Sequence, residues 1–246
     1  MGEFTIKVAG HTAYVSSLFE STRDYCREYL TEEAGEITVT VFREELELEQ
    51  RLADEEAREE GLRQRNFTGP FLERAVIQRK LAEALLERDI LLLHGSAVAV
   101  DGEGYLFTAN KCGTGKSTHT RLWRELLGSR AVAVNDDKPF LKLTEAGIFL
   151  CGSPWTGKHG LGCNITVPLK GICILQRGAC NRIRRIGAEE AEGMVRKQSL
   201  APLAEEKLPK YRELVEKLLE RGVFWQMECT KEQDAARVSF EAMAGK

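Results

Sequence analysis

NKCGTGKSTHT, residues 110–120, is the stretch on which the reading of this chain turns. It follows the phosphate-loop pattern G-x-x-x-x-G-K-[ST] except at its first position, where Asn110 stands for glycine. Such a loop holds an anion because successive backbone N–H groups turn inward and glycines let the chain come close. The helix that follows adds the positive end of its dipole. Lys116 is spaced to reach the β- and γ-phosphates of a nucleotide, and Ser117 to offer its hydroxyl to Mg²⁺. Asparagine tolerates left-handed backbone better than most residues, so the change at 110 is mild. An apolar run, YLFTA, precedes the loop, and a helical pattern with Leu122, Trp123, Leu126 and Leu127 on one face follows it, stopping at Gly128. That strand–loop–helix context makes Asn110, Lys111, Cys112, Gly113, Thr114, Gly115, Lys116, Ser117 and Thr118 the expected nucleotide contacts.

Phosphoryl transfer also needs a metal to bridge the phosphates and a group to take a proton from the attacking hydroxyl. Asp136 and Asp137 follow the apolar strand AVAV, about 20 residues after Ser117, where a carboxylate would stand beside Mg²⁺. Two adjacent aspartates can divide the work between metal and acceptor hydroxyl. The bland alternative is a solvated N-D-D turn before Pro139, since Asn and Asp favour turns.

The whole chain narrows the classes. With 246 residues, 43% apolar and 30% charged, it is long enough to bury a core and ordinary in composition. The net charge of −3 argues against a nucleic-acid partner. No apolar run approaches the roughly 20 residues of a membrane span, and the start lacks a secretory apolar segment. Seven scattered cysteines without a C-x-x-C pair suggest neither disulfides nor a zinc site, and a reducing cytoplasm is expected.

Alternation at Phe4–Val8 and 12–16 predicts two strands, helical spacing predicts one helix over 18–30, and ITVTVF another strand. Residues 43–60 carry nine acidic and three basic side chains, read as a solvated helix or a mobile linker, against a docking face for a basic partner. Gly69-Pro70 opens a helix at 71–87. ILLLHGSAVAV and GYLFTA are two strands, with further strands at 131–134, 140–143, 148–151, 171–176 and 181–186, then helix, strand and helix. The expected domains are 1–68, a small α+β module with its acidic connector, and 69–246, the nucleotide-binding domain.

G-T-G-K-S followed by an apolar strand and D-D, with Leu93-His94-Gly95 one strand earlier, resembles the catalytic domain of HPr kinase/phosphorylase. It is more distantly similar to ATP-dependent phosphoenolpyruvate carboxykinase. STHTRLW, NDDKP, GSPWTGKHGLG and PLKGICILQRG extend the likeness to about half the chain. The resemblance implies an α/β fold, a mixed-sheet P-loop core, using ATP and Mg²⁺ to phosphorylate a hydroxyl, typically a serine of a protein or peptide, including a ribosomal peptide precursor. It also implies that Asp136 accepts the proton, and that Asp137 serves the metal with Ser117 and contacts His94. Cys112 replaces the serine usual in the loop, and no E-[IV]-R-G-x-G segment is present.

The loop SPWTGKHGLGCN, residues 153–164, carries Lys158 and His159 beside Trp155. Lys158 is read as a cation that closes over the transferring phosphoryl group, against a plain surface loop anchored by Trp155. The expected catalytic set is therefore Asp136, Lys116, Lys158 and His94. His119 is read as structural, Cys112 as a stand-in for serine whose thiol could be redox-sensitive, and Arg177, Arg182, Arg184 and Arg185 as a basic patch, a solvated strand edge before a contact for an acidic peptide. A small-molecule hydroxyl kinase and a nucleotide-binding sensor are the competing functions, and a homo-oligomer is left open.

Overall fold

The computed structural model describes residues 2–59, 61–110 and 113–245, and the chain divides into two compact units, Met1–Ala84 and Leu85–Lys246.

In the first unit, β1 (Gly2–Val8) and β2 (His11–Ser17) form an antiparallel hairpin, after which come a short helix α1 (Ser21–Tyr25) and β3 (Ile37–Thr40), parallel to β2. The single helix expected over 18–30 is instead α1 and a turn of 3-10 helix at Arg27–Tyr29. The buried carboxylate of Glu73 accepts hydrogen bonds from the amides of Leu18 and Phe19 and from the Thr22 hydroxyl, tying the start of this segment to α3. The acidic run is a helix, α2 (Arg43–Glu59), and α3 spans Gly69–Leu85. Two glutamates of α2 are not simply solvated: Glu49 pairs with Arg79 and Glu45 with Lys80, both on α3, and Lys80 also donates to the Thr40 carbonyl. These ties join α3 to α2 and β3 within the first compact unit, which ends at Ala84.

The second unit is a mixed α/β fold. Its strands are β4 (Ile90–Leu92), β5 (Ser96–Val100), β6 (Glu103–Thr108), β7 (Ala131–Asn135), β8 (Phe140–Thr144), β9 (Gly147–Cys151), β10 (Thr166–Arg177), β11 (Arg182–Ile186) and β12 (Phe224–Cys229). Among the described residues these nine form one curled sheet. The 12-residue β10 is its axis. Its first residues pair with β9, and through it with β8 and β4, while its later residues run parallel to both β6 and β12.

Helices α4 (Lys116–Leu127) and α7 (Gln233–Ala244) cover one face, and α5 (Ala188–Gln198) and α6 (Leu208–Arg221) the other. Strand alternation divides the core accordingly. Leu106, Ile172 and Ile174 pack with Val195, Leu214 and Leu218, whereas Phe107, Cys173 and Leu175 pack with Trp123, Ala235 and Ala236. Strands buried on both faces read as continuous apolar runs, which is why GICIL and YLFTA carry no polar alternation. The run ILLLHGSAVAV, expected as one strand, is two, β4 and β5, because the chain bends at His94-Gly95. Among the described residues no helix is long and apolar enough to cross a membrane.

Candidate functional site

The glycine-rich turn lies between the end of β6 and the start of α4, the placement expected from the sequence. Lys111 and Cys112 fall outside the described residues. Gly113 and Gly115 have φ of 74° and 118°, backbone that a side chain would strain. Gly115 is the capping residue just before α4, and its carbonyl accepts the His119 amide at 2.8 Å. Arg177, at the end of β10, donates to the Gly113 carbonyl. In a trans peptide the C=O and the next N–H point oppositely, so pinning this carbonyl aims the following amide the other way. Lys197 Nζ, from α5, donates to Asn110 Oδ1 at 2.8 Å. The first helical turn presents Lys116, buried, and Ser117, whose hydroxyl donates to the main-chain carbonyl of Asp136 at 3.4 Å.

Asn135 ends β7 and is fully buried. Its Oδ1 accepts the amides of Asp137 (2.8 Å) and Lys138 (2.7 Å), and its Nδ2 donates to the carbonyl and hydroxyl of Ser153. The Asp-Asp turn is thus built by an asparagine, as turn chemistry suggests, with Asn135 and Asp136 buried and Asp137 partly exposed.

Asp136 is 5% exposed. Its Oδ1 accepts the Gly157 amide at 2.6 Å, and its Oδ2 is buried with no hydrogen-bond partner. A β-carbon on residue 157 would stand 3.3 Å from Oδ2, so glycine permits this approach. Burial pushes the Asp136 carboxyl up; the Gly157 and Leu161 amides oppose the shift and the charge of Asp137 adds to it.

Asp137 Oδ1 meets His94 Nε2 at 3.1 Å, with the side chains 33% and 27% exposed. Burial alone would raise Asp137, but the hydrogen bond from His94 and the charges of Lys138 and Lys116 outweigh it and hold the carboxyl below its usual range. His94 is lowered, first by burial and then by Lys138 and Lys116, against the pull of Asp137. At neutral pH the pair is therefore an imidazole N–H donating to a carboxylate.

His94 is also a main-chain hub. Its amide donates to the Gln198 carbonyl (2.7 Å), its carbonyl accepts the Thr108 hydroxyl (2.9 Å), and the next amide, Gly95, donates to the Asp137 carbonyl (2.9 Å).

The loop at 153–164 is stapled to the same strand end. Asn135 pairs with Gly162, and the Cys163 amide donates to the Val134 carbonyl at 3.1 Å. Trp155 is buried edge-on to Phe140, so it is an anchor. Lys158 and His159 are exposed at the tip, one and two residues beyond the Gly157 that holds Asp136.

Of the residues singled out from sequence, Ser117 bonds Asp136 and His94 bonds Asp137, with the charge of Lys116 felt at both His94 and Asp137, while Asn110, Gly113 and Gly115 lie in the turn before α4. Thr114 and Thr118 sit in the same turn and helix start. His119 faces the core: it is 2% exposed and lies against Phe107. The sequence pattern does not single out Lys197, and it places Arg177 in a basic patch read as a strand edge or a peptide contact, not as part of the glycine turn. Their partners lie 87 and 64 positions away, and nothing in the local pattern signals them. Among the other arginines of that edge, Arg184 is paired with Glu190 and Gln226.

No family model matches this sequence, and no curated protein sequence matches it. Among solved structures, the HPr(Ser) kinase/phosphatase from Coxiella burnetii aligns at 14% identity with a TM-score of 0.29, over 51% of this chain and 94% of that one. The functional reading therefore rests on the residues of the site itself.

Proposed function

We propose that this chain is a phosphotransferase that moves the terminal phosphoryl group of Mg·ATP to a hydroxyl, with serine of a protein or peptide as the acceptor class. The observation that carries the reading is Asp136: a buried carboxylate at a strand end, one oxygen held by the Gly157 amide and the other without a partner, on the residue whose carbonyl receives Ser117. A buried acceptor left unpaired is costly, and such groups gather where chemistry supplies the missing partner.

The residues fit the groups the reaction needs. Lys116, Lys197 and Arg177 put three cations around one glycine turn, suited to a polyphosphate. Mg²⁺ takes one or two protein oxygens beside phosphate oxygens and water, and Ser117 with Asp137 would hold it. When bound, the ion would supply positive charge against the phosphates, with Ser117 and Asp137 as its protein oxygens. Lys116 draws the γ-phosphoryl into place. The acceptor hydroxyl passes its proton to Asp136 Oδ2 as its oxygen bonds to phosphorus, and the bond to the β-phosphate oxygen breaks, releasing ADP. A carboxyl raised by burial holds that proton better than an exposed one. His94 orients Asp137, and Lys158 would close over the phosphoryl group from the exposed loop tip. Serine as the acceptor is supported by the motif likeness to HPr kinases, and capture of the peptide is assigned to the N-terminal unit.

Calorimetric titration of Mg·ATP tests this, beside Lys116→Ala and Asp136→Asn. The wild type should bind in the micromolar range, and Lys116→Ala should lose about 30-fold or more. Asp136→Asn should bind within about threefold while ATP turnover falls by about 10²–10⁴-fold. A wild type that binds neither ATP nor GTP, or a Lys116→Ala chain that binds as well, sinks the proposal.

A further inference from the structure

The nucleotide site proposed above does not explain why its loop begins with asparagine. The Asn110 side chain is occupied, by the ammonium of Lys197 at 2.8 Å. Both residues are exposed, yet the contact is not between idle surface chains. The end of α5 is stitched to the segment after β4: the His94 amide donates to the carbonyl of Gln198, the residue after Lys197. Leu93 bridges Ser199, and the Leu200 amide donates to Leu92. The Ser199 hydroxyl is bound in turn to the Tyr211 hydroxyl at 2.7 Å. On the loop side, Thr108, two residues before Asn110, donates to the His94 carbonyl. One short segment of main chain thus fixes both the strand that leads into the loop and the helix end that carries Lys197.

We propose that Lys197 is a phosphate-binding residue of this site, held ready by Asn110 and transferred to a phosphate oxygen when Mg·ATP binds. The proposal rests on the nucleotide-site reading above. A neutral amide suits the task. It orients the ammonium without cancelling its charge, whereas an aspartate at 110 would neutralise the lysine and repel the incoming phosphates. Glycine at 110 would leave a four-carbon stem unrestrained, and its rotamer freedom would then be lost on binding. An ammonium bonds a phosphate oxygen more strongly than it bonds a neutral carbonyl oxygen, so the exchange runs toward the nucleotide. Arg177 differs, because its partner is the main-chain carbonyl of Gly113, part of the loop's own frame. The departure at 110 from the glycine pattern is on this view the acceptor half of a pair whose donor lies in α5.

The test is a double-mutant cycle read by calorimetry with Mg·ATP, on the wild type, Lys197→Ala, Asn110→Gly and the double variant, each first shown to melt like the wild type. Lys197→Ala and Asn110→Gly should each weaken binding by about 5- to 10-fold, and the double variant should be no worse than Lys197→Ala alone, because the two act through one interaction. Lys197→Arg should stay within about threefold of the wild type, since it keeps the charge. The wild-type affinity should also fall more steeply than that of Lys197→Ala between about 50 and 300 mM salt, having one more charge on the phosphates.

Asn110→Gly binding as tightly as the wild type, or two effects that multiply in the double variant, overturns the proposal. If the wild type binds through Lys116 and the Lys197 variants match it, only this proposal fails. If the wild type binds no Mg·ATP, the nucleotide-site reading fails and this one with it.

Discussion

Acidification should destabilise the second unit through one histidine, and the structure gives the size of the effect. His119 Nε2 lies 2.9 Å from the Ser239 hydroxyl, which also accepts the Trp123 indole N–H at 2.8 Å and donates to the carbonyls of Ala235 and Ala236. A hydroxyl has one proton and two lone pairs. With that proton on the α7 carbonyls and one lone pair on Trp123, the second lone pair accepts from His119, which places the imidazole proton on Nε2. Nδ1 is then a bare lone pair, buried with no partner. Protonating it would bury a charged N–H with nothing to accept it, and burial accordingly pushes the pKa of His119 down to about 4.

The sign follows from which state binds the proton. The unfolded chain protonates this ring below about pH 6.5 and the folded chain only near 4, so the unfolded state holds more protons between those values. The contribution of His119 is complete above about pH 6.5 and is lost as pH falls toward 4. From pH 8 to pH 5 the loss is about 1.5 pH units at 1.36 kcal/mol each, or about 2 kcal/mol. All three tryptophans, Trp123, Trp155 and Trp225, lie in this unit, so urea unfolding followed by fluorescence reports on it. The wild-type midpoint should drop by on the order of 1 M between pH 8 and pH 5 beyond any drop in His119→Gln, which keeps an Nε2 donor but cannot titrate. Parallel losses in the two proteins would refute the argument, as would an NMR assignment of the proton to Nδ1.

Two further outcomes follow from buried polar groups. Glu73→Gln replaces one acceptor oxygen with a donor facing the Leu18 and Phe19 amides and the Thr22 hydroxyl, and should cost the first unit about 3 kcal/mol; hydrogen exchange at Leu18 and Phe19 no faster than in the wild type would contradict it. Asn135→Ala orphans the amides of Asp137 and Lys138 and should lower the stability of the second unit by about 3 kcal/mol, with ATP turnover falling further than ATP affinity; an unchanged melting temperature would show that the turn does not depend on its asparagine.

How much of this was legible in the sequence depended on how far each interaction reaches along the chain. The glycine turn, Lys116, Ser117 and the aspartate pair announce themselves because their geometry is local: positive φ at Gly113 and Gly115, a strand before and a helix after. Apolar runs marked strands buried on both faces, but periodicity cannot show that a run bends at His94-Gly95, since both halves are equally apolar. Apolar spacing over 18–30 could not show that the helix stops at Tyr25, and the tie of Leu18 and Phe19 to Glu73 was hidden because it spans more than 50 positions. The same reason hid Lys197, Arg177 and the Ser239 partner of His119. Composition suggested that residues 43–60 are solvated, and could not show that Glu45 and Glu49 face Lys80 and Arg79.

The Asn-Asp-Asp stretch shows why a turn and a reactive site need not be rival readings. A turn of this kind needs acceptors for its inward amides, and an aspartate commonly supplies them from its own carboxylate. Here Asn135 does so with a neutral oxygen and secures itself to Ser153 with its amide nitrogen. Neither carboxylate is then consumed in holding the turn. Asp137 is left to His94, and Asp136 keeps one oxygen for Gly157 and one unpaired. The two carboxyls are adjacent in sequence but shifted in opposite directions, Asp136 up and Asp137 down, because burial dominates the first while a histidine and two lysines offset it at the second. A pair whose affinities for a proton are driven apart in this way can divide proton transfer from charge binding. It can do so only because the residue before them builds the turn.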